Sequence, residues 1–293
     1  MGDHHVHLHP HGPYNGTGPA LGEYPPGHIE AYVETALARG ADEVGFTEHF
    51  YRCADVSHLL GAFWEAEPRQ DLATQSRDFV TSDGALNLED YVVAVVAAKD
   101  RGLPVKLGLE VDYFPESIAA VCDHLAQYPF DFLIGSVHWV GGWSVDHDDV
   151  VHEYERRGVE AAYADYFALE TALAASGAVD VLAHADVIKK FGHRLPEPPV
   201  DWYRKVAAAA AESGTAIEVS TAGRYKPVAE MYPAPEFLAE TWAAGVGITL
   251  ASDAHEPGEC GRDRDVAIEY ARAAGYTTRL RFENRNAIEV PLQ

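Results

Sequence analysis

Short apolar runs alternate along the chain with longer stretches of helical spacing. HHVHLH at residues 4–9 predicts a short strand. Residues 28–39 carry apolar side chains three and four apart and are followed by Gly40, the pattern of a helix closed by glycine. DEVGFTEH predicts the next strand, and 88–101 a second helix ahead of Gly102. VKLGLEVDYF, FDFLIGSVHWV, VDVLAHADV, TAIEVSTAG and VGITLASDAH are apolar, β-branched runs of the kind buried on both faces of a parallel sheet. Helical segments at 117–128, 160–176, 201–213 and 235–244 separate them, three closed by Gly177, Gly214 and Gly245. The rhythm amounts to about seven βα units with no linker, which predicts an α/β fold with helices outside a parallel sheet, as one domain over residues 1–293. Residues 52–84 break the rhythm. They are long, polar and aromatic (Phe63, Trp64), and are expected to form an irregular insertion that covers the site.

Composition narrows the function more than the fold. Hydrophobic residues at 47% and charged residues at 23% exclude a disordered chain. The 22 Lys+Arg against 46 Asp+Glu leave a net charge of -24, which disfavours nucleic acid and anionic lipid as partners. The apolar runs fall short of the roughly 18 residues of a membrane span. The first residues show no basic segment ahead of an apolar one, so no secretory signal is expected. Cys53, Cys122 and Cys260 form no CxxC pair, which argues against a thiolate zinc site and fits a reducing, cytoplasmic location.

Histidine changes the picture. Five of the 15 histidines lie in the first eleven residues, interleaved with Val, Leu and Pro. On a strand, alternation puts His5 and His7 on one face, where two imidazoles can share a metal ion. Every later strand also ends in ligand-type residues: Glu48 and His49, Glu110 and Asp112, His138, His184 and Asp186, Glu218, then Asp253 and His255. In a closed parallel barrel these ends converge on one mouth. A single histidine after an apolar run means little; the succession carries the argument. Imidazole and carboxylate without thiolate suit zinc, manganese or iron. About nine such donors exceed one tetrahedral site and point to two or three divalent ions, an arrangement that hydrolyses phosphate esters.

The order H-x-H, F-T-E-H, G-L-E-V-D, G-S-V-H, L-A-H-x-D and S-D-A-H resembles the polymerase and histidinol phosphatase (PHP) superfamily. The stretches DHHVHLHPHG, VGFTEHFYR, KLGLEVDYFP, FDFLIGSVHWVG, VLAHADVIKKFG, IEVSTAGRYKP and ITLASDAH carry the likeness across residues 3–255 and are most similar to monofunctional histidinol-phosphate phosphatases. The resemblance implies a distorted (β/α)7 barrel with its metal site at the C-terminal ends of the strands. It implies a phosphomonoesterase that releases L-histidinol and phosphate from L-histidinol phosphate by attack of metal-activated hydroxide. One metal would take His5, His7, Glu110 and Asp253; a second Glu110 as bridge, His138 and His184; a third His49, His255 and His11. Other members often carry Asp-Gly where this chain has His11-Gly12, and His9 and Glu23 compete with His11.

Around these ligands Asp112 and Asp186 are candidates to orient a histidine or to protonate the leaving group, with simple capping as the alternative. Glu48 is expected to be structural. Glu218 ends its strand at the right level, yet the implied ligand set does not need it. Arg224 and Lys226 are the first choices for the substrate phosphate, followed by Lys189, Lys190 and Arg194. Trp139, Tyr113 or the insertion could face the amino-imidazole end. His28, His58, His124, His147, His152 and His193 are expected at the surface or in loops. Rival readings are a metal-dependent amidohydrolase, an exonuclease, and a metal-binding protein with a dead site. Glu110 and His138 stand where an amidohydrolase usually needs a carboxylated lysine, and the acidic charge disfavours the exonuclease.

Overall fold

The computed structural model describes residues 2–11 and 19–293. Strands and helices alternate as the sequence predicts. The chain runs through β1 (Asp3–Val6), α1 (His28–Ala38), β2 (Val44–Phe46), α2 (Gln70–Asp83), α3 (Leu88–Asp100), β3 (Val105–Leu107), β4 (Glu110–Asp112), α4 (Ile118–Leu125) and β5 (Ile134–Ser136). It continues through β6 (Trp139–Val140), β7 (Trp143–Ser144), α5 (Glu153–Arg157), α6 (Val159–Ser176), β8 (Val181–Leu182), α7 (Val200–Ser213), β9 (Ala216–Ser220), α8 (Pro235–Ala243), β10 (Ile248–Ala251), α9 (Arg264–Ala274), β11 (Thr278–Glu283) and β12 (Asn286–Pro291).

Two parallel sheets result, ordered β1-β2-β3 and β10-β9-β8-β5-β4. Their strands are buried on both faces, as continuous apolar runs require. The sheets touch at both ends. Val6 bridges Ala254 just beyond β10, and His49, beyond β2, bridges Glu110 in β4. Helix ends follow the expected chemistry: Asn87 caps α3 by accepting the Asp90 amide at 3.0 Å, and Gly177 and Gly214 close α6 and α7 with left-handed backbone.

Phe132, Ile134, Val181, Ala183, Ala216 and Phe282 form a small core at the N-terminal ends of the strands. The β11–β12 hairpin brings Phe282 into it. Its Asn284–Arg285 turn has positive φ at both residues, 49° and 64°, the geometry of a tight two-residue hairpin. Arginines clamp this hairpin in place: Arg279 on Asp42 at 3.1 Å, Arg281 on Glu43 at 2.8 Å, and Arg285 on Asp180. Glu43 also accepts from His4 at 2.9 Å. The alternating sequence 278–291 was not among the expected strands.

The insertion differs from expectation in one respect. Residues 52–84 are not irregular throughout, because α2 occupies fourteen of them. Its buried face is Leu72, Ala73, Ser76 and Val80. Small and polar side chains make that stripe weak in the sequence.

A close approach inside the small core gives a test of packing. A Cβ on Gly45 would lie 2.6 Å from the Phe132 ring and 3.1 Å from the His4 backbone. Gly45→Ala is therefore expected to cost about 1–3 kcal/mol by overpacking. Thermal unfolding followed by circular dichroism measures it, and an unchanged melting temperature would show that the ring yields freely.

Candidate metal centre

Because both sheets are parallel, side chains within the last strand residues, at the start of β4 or just beyond the C-terminal strand ends gather on one side of the molecule. His5, His7, His49, Glu110, His138 and His184 are all buried there. Glu110 is central. Its Oε2 lies 3.4 Å from His5 Nε2, 3.5 Å from His7 Nε2 and 2.7 Å from His49 Nδ1. Its Oε1 lies 3.5 Å from His138 Nε2 and 3.2 Å from His184 Nε2, and accepts from the Ser136 hydroxyl.

The ring nitrogens face one another in pairs. His5 Nε2 and His7 Nε2 stand 3.0 Å apart, His138 Nε2 and His184 Nε2 3.4 Å, and His11 Nε2 and His49 Nε2 3.1 Å. Asp253 Oδ1 completes the first group at 3.6 Å from His5 and 3.4 Å from His7. Ligand atoms of a tetrahedral ion with bonds of 2.0–2.1 Å are roughly 3.3 Å apart. The donor set therefore fits divalent cations. Glu110 Oε2 and His255 Nε2 are buried without a hydrogen-bond partner, as ligand atoms awaiting an ion would be. Three groups of potential ligand atoms lie close together: His5, His7 and Glu110; His49, Glu110 and His138; and His7, His49 and His255.

Three of the far nitrogens are tied down. His5 Nδ1 meets Glu218 at 2.8 Å, His138 Nδ1 meets Asp112 at 2.6 Å, and His255 Nδ1 meets the Asp253 carbonyl at 3.1 Å. Once the ring is neutral, each contact takes its N–H and leaves Nε2 as a lone pair aimed inward. Glu218 also accepts the His184 amide at 2.6 Å. His184 (φ 25°) and Asp253 (φ 52°) both hold left-handed backbone, a strain of order 1–3 kcal/mol each that collects at functional sites.

Of the rival residues, His11 joins the cluster and the others do not. The His9 ring contacts Glu48 and the Glu23 carbonyl. Glu48 accepts the Leu8 and His9 amides at 2.7 and 3.1 Å and so shapes the turn beyond β1. Asp186 is turned away, bound to Lys189 at 2.8 Å and to the Ala234 amide at 2.7 Å. With Asp112 committed to His138, neither aspartate lines the cavity, so their expected part as proton donors has no geometric counterpart.

Beside His11, His49 and His138 opens a cavity of about 230 Å³. Tyr51, Phe79 and Trp139 form its aromatic wall. The β6–β7 hairpin turns the chain back, with the Val145 amide on the His138 carbonyl at 2.8 Å, and so brings Ser144, Asp146 and His147 to the cavity, His147 edge-on to Phe79 with ring centroids 4.9 Å apart. Lys190 lies there too, 3.4 Å from Asp146 Oδ2. Arg224 and Lys226 do not line this cavity; Arg224 pairs with Asp263 at the surface. His147 lies in a loop, as expected, and that loop lines the cavity. No signal in the sequence announces it, because its position depends on a hairpin.

The cluster distributes its protons unevenly. Burial disfavours charge on His138, but Glu110 and Asp112 outweigh it and raise its pKa to about 10. Burial opposes charge on His5 too, yet Glu218, Glu110 and Asp253 hold it well above the ordinary value. Burial and the neighbouring His49 push His7 down to about 3. Burial would raise Glu110, but His49, His5 and His138 keep it ionised. Metal binding needs neutral rings, so His5 and His138 must give up their protons near neutral pH. Metal loading at about pH 7.5 is expected to release about two protons per chain and to weaken as pH falls. Titration calorimetry in buffers of different ionisation enthalpy counts them, and a proton-neutral binding event would contradict this charge arrangement.

The PHP domain family matches residues 7–222. A Deinococcus radiodurans protein named "Probable histidinol-phosphatase" is 34% identical over 254 residues, covering 85% of this chain and 89% of the relative. The Bacillus subtilis histidinol-phosphatase is 26% identical over 265 residues, covering 82% of this chain and 92% of its own. Among solved structures, histidinol phosphate phosphatase from Lactococcus lactis, complexed with zinc, L-histidinol and phosphate, shares the fold. Its TM-score is 0.70 at 20% identity, over 98% of both chains. Family match and fold agree with the histidine-lined strand ends: this chain belongs to the PHP domain family.

Proposed function

We propose that this chain is a metal-dependent phosphatase that hydrolyses L-histidinol phosphate to L-histidinol and phosphate. The observation that carries the reading is the Glu110 cluster of facing imidazoles, opening into a cavity lined by one lysine and two aspartates. The named activities of the relatives, and the zinc, histidinol and phosphate in the Lactococcus lactis structure, support the substrate. The two parallel sheets, bridged at both ends, are proposed to form one distorted barrel domain of seven strands, with β3 and β4 taken as one interrupted strand. Three free cysteines fit a reducing cytoplasm.

Three divalent ions are proposed, zinc, manganese or iron. The first would be held by His5, His7, Glu110 and Asp253, the second by Glu110, His138 and His184, and the third by His11, His49 and His255. Bound ions supply Lewis acidity and make water a nucleophile at neutral pH. The chain's own groups do the rest. Glu218 and Asp112 fix the tautomers of His5 and His138. Lys190, rather than Arg224 or Lys226, stands where the phosphate dianion would enter. Tyr51, Phe79 and Trp139 offer flat faces to an imidazole and exclude water around it. Asp146 offers a carboxylate to the ammonium group.

Purified, metal-loaded protein should release phosphate from histidinol phosphate, lose that activity to a chelator and regain it with added metal. His138→Ala should lower kcat/KM by more than the about 10- to 100-fold typical of losing a ligand's supporting partner. Good turnover of other phosphomonoesters with none of histidinol phosphate would sink the substrate assignment.

A second measurement addresses recognition. Asp146→Asn should reduce the preference for histidinol phosphate over its amine-free analogue by about 10- to 100-fold in kcat/KM, the size of a charge-assisted hydrogen bond. Competition between the two substrates reads this ratio directly, and an unaltered ratio would remove Asp146 from amine recognition.

A further inference from the structure

Helix α2 comes from the segment that interrupts the βα rhythm, and its last residue reaches the metal cluster. Asp83 Oδ2 lies 3.1 Å from His11 Nδ1, 3.2 Å from the Tyr51 hydroxyl and 3.1 Å from Arg52 Nε. The other nitrogen of the same ring, His11 Nε2, stands 3.1 Å from His49 Nε2. A neutral imidazole has one N–H. Given to Asp83, that proton leaves Nε2 bare and pointed at the cluster.

The need for such a device is particular to this position. The His11 side chain is 41% exposed, whereas His255 is 21% exposed and the other imidazoles of the cluster are buried. An exposed ring on a loop is free to turn and to exchange tautomers. Two groups counter that freedom. The Asp83 carboxylate fixes the ring, and Arg52, paired with that carboxylate, donates to the His9 and Pro10 carbonyls at 3.0 Å each, which fixes the loop backbone. One turn earlier on the same face of α2, Phe79 lines the cavity, its ring centroid 6.4 Å from that of His11.

We infer that Asp83 is a positioning residue: it makes His11 a ligand of the outermost divalent cation, so that α2 supports a metal site and a substrate wall together. The inference rests on the metal centre proposed above. It implies that the ion at His11, His49 and His255 is the most weakly held, and that its retention alone depends on α2.

The test is metal stoichiometry, not turnover. Wild-type chain and Asp83→Asn are dialysed against buffered zinc over a range of free concentrations, and bound zinc per chain is measured by mass spectrometry. In Asp83→Asn one equivalent should be lost at about 10- to 100-fold higher free zinc than in wild type, with the remaining equivalents unmoved. Asp83→Glu, which keeps the carboxylate, should restore part of the affinity and serves if the amide variant fails to fold. In a His11→Asp background the ligand has no ring tautomer to fix, so adding Asp83→Asn should cost nothing further. Wild-type affinity for every equivalent in Asp83→Asn, or an equal loss of all of them, would overturn the role of Asp83. A wild-type chain that binds no zinc would instead overturn the metal centre itself.

Discussion

The architecture turns on one buried carboxylate. Glu110 is wholly enclosed, and burial alone would protonate it. It stays ionised because imidazoles face both of its oxygens, three on one side and two on the other. Those imidazoles come from strands far apart in the chain, so the carboxylate holds its charge only when the sheets have assembled. In the other direction, neutral rings crowded nose to nose at 3.0–3.4 Å are tolerable only with a cation or proton between them. Fold, charge state and metal affinity are thus one problem with one solution, centred on β4.

Much of this was legible in the sequence, because strand periodicity is rigid. A residue that ends an apolar run must lie at a strand end, and parallel strands put those ends together. His5, His7, His49, Glu110, His138 and His184 follow from that rule alone. What the rule misses depends on chain segments that leave the strands and come back. Asp146 and His147 reach the cavity through the β6–β7 hairpin. Asp83 and Phe79 arrive on a helix whose buried face uses Ala and Ser, too weak a pattern to notice. Lys189 and Lys190 are neighbours with opposite fates. The first is buried against Asp186 and the second opens to the cavity, a difference of rotation that no spacing encodes. Asp186 fails as a candidate for the same reason: Lys189 claims it.

Charge is also arranged by place. The excess of acid spreads over the outside, while three arginines of the β11–β12 strands and turn gather at the opposite pole from the metal cluster and are spent on Asp42, Glu43 and Asp180. The cavity keeps Lys190 tied to Asp146, its Nζ donating to the backbone carbonyl at 2.5 Å and lying 3.4 Å from Oδ2. For a dianion approaching this acidic protein, the metal-ligand cluster at the strand ends is the place where bound divalent ions would add positive charge against the ligand carboxylates.

The contacts of β1 have a consequence for the way the protein is made. Asp3, one of the first residues of the fold, accepts hydrogen bonds from the Ser252 and Gly261 amides at 2.8 and 2.7 Å, across nearly the whole chain. His4 is held by Glu43, which Arg281 clamps in turn. A ribosome delivers β1 long before any of these partners except Glu43. The strand that carries His5 and His7 must wait, unpaired on one edge, until residues 248–261 have emerged. Such distant pairings fold slowly. During that wait a metal ion can find some of its ligands but not their supports, so the finished centre records the order of synthesis: it can be complete only after residues 248–261 have been made.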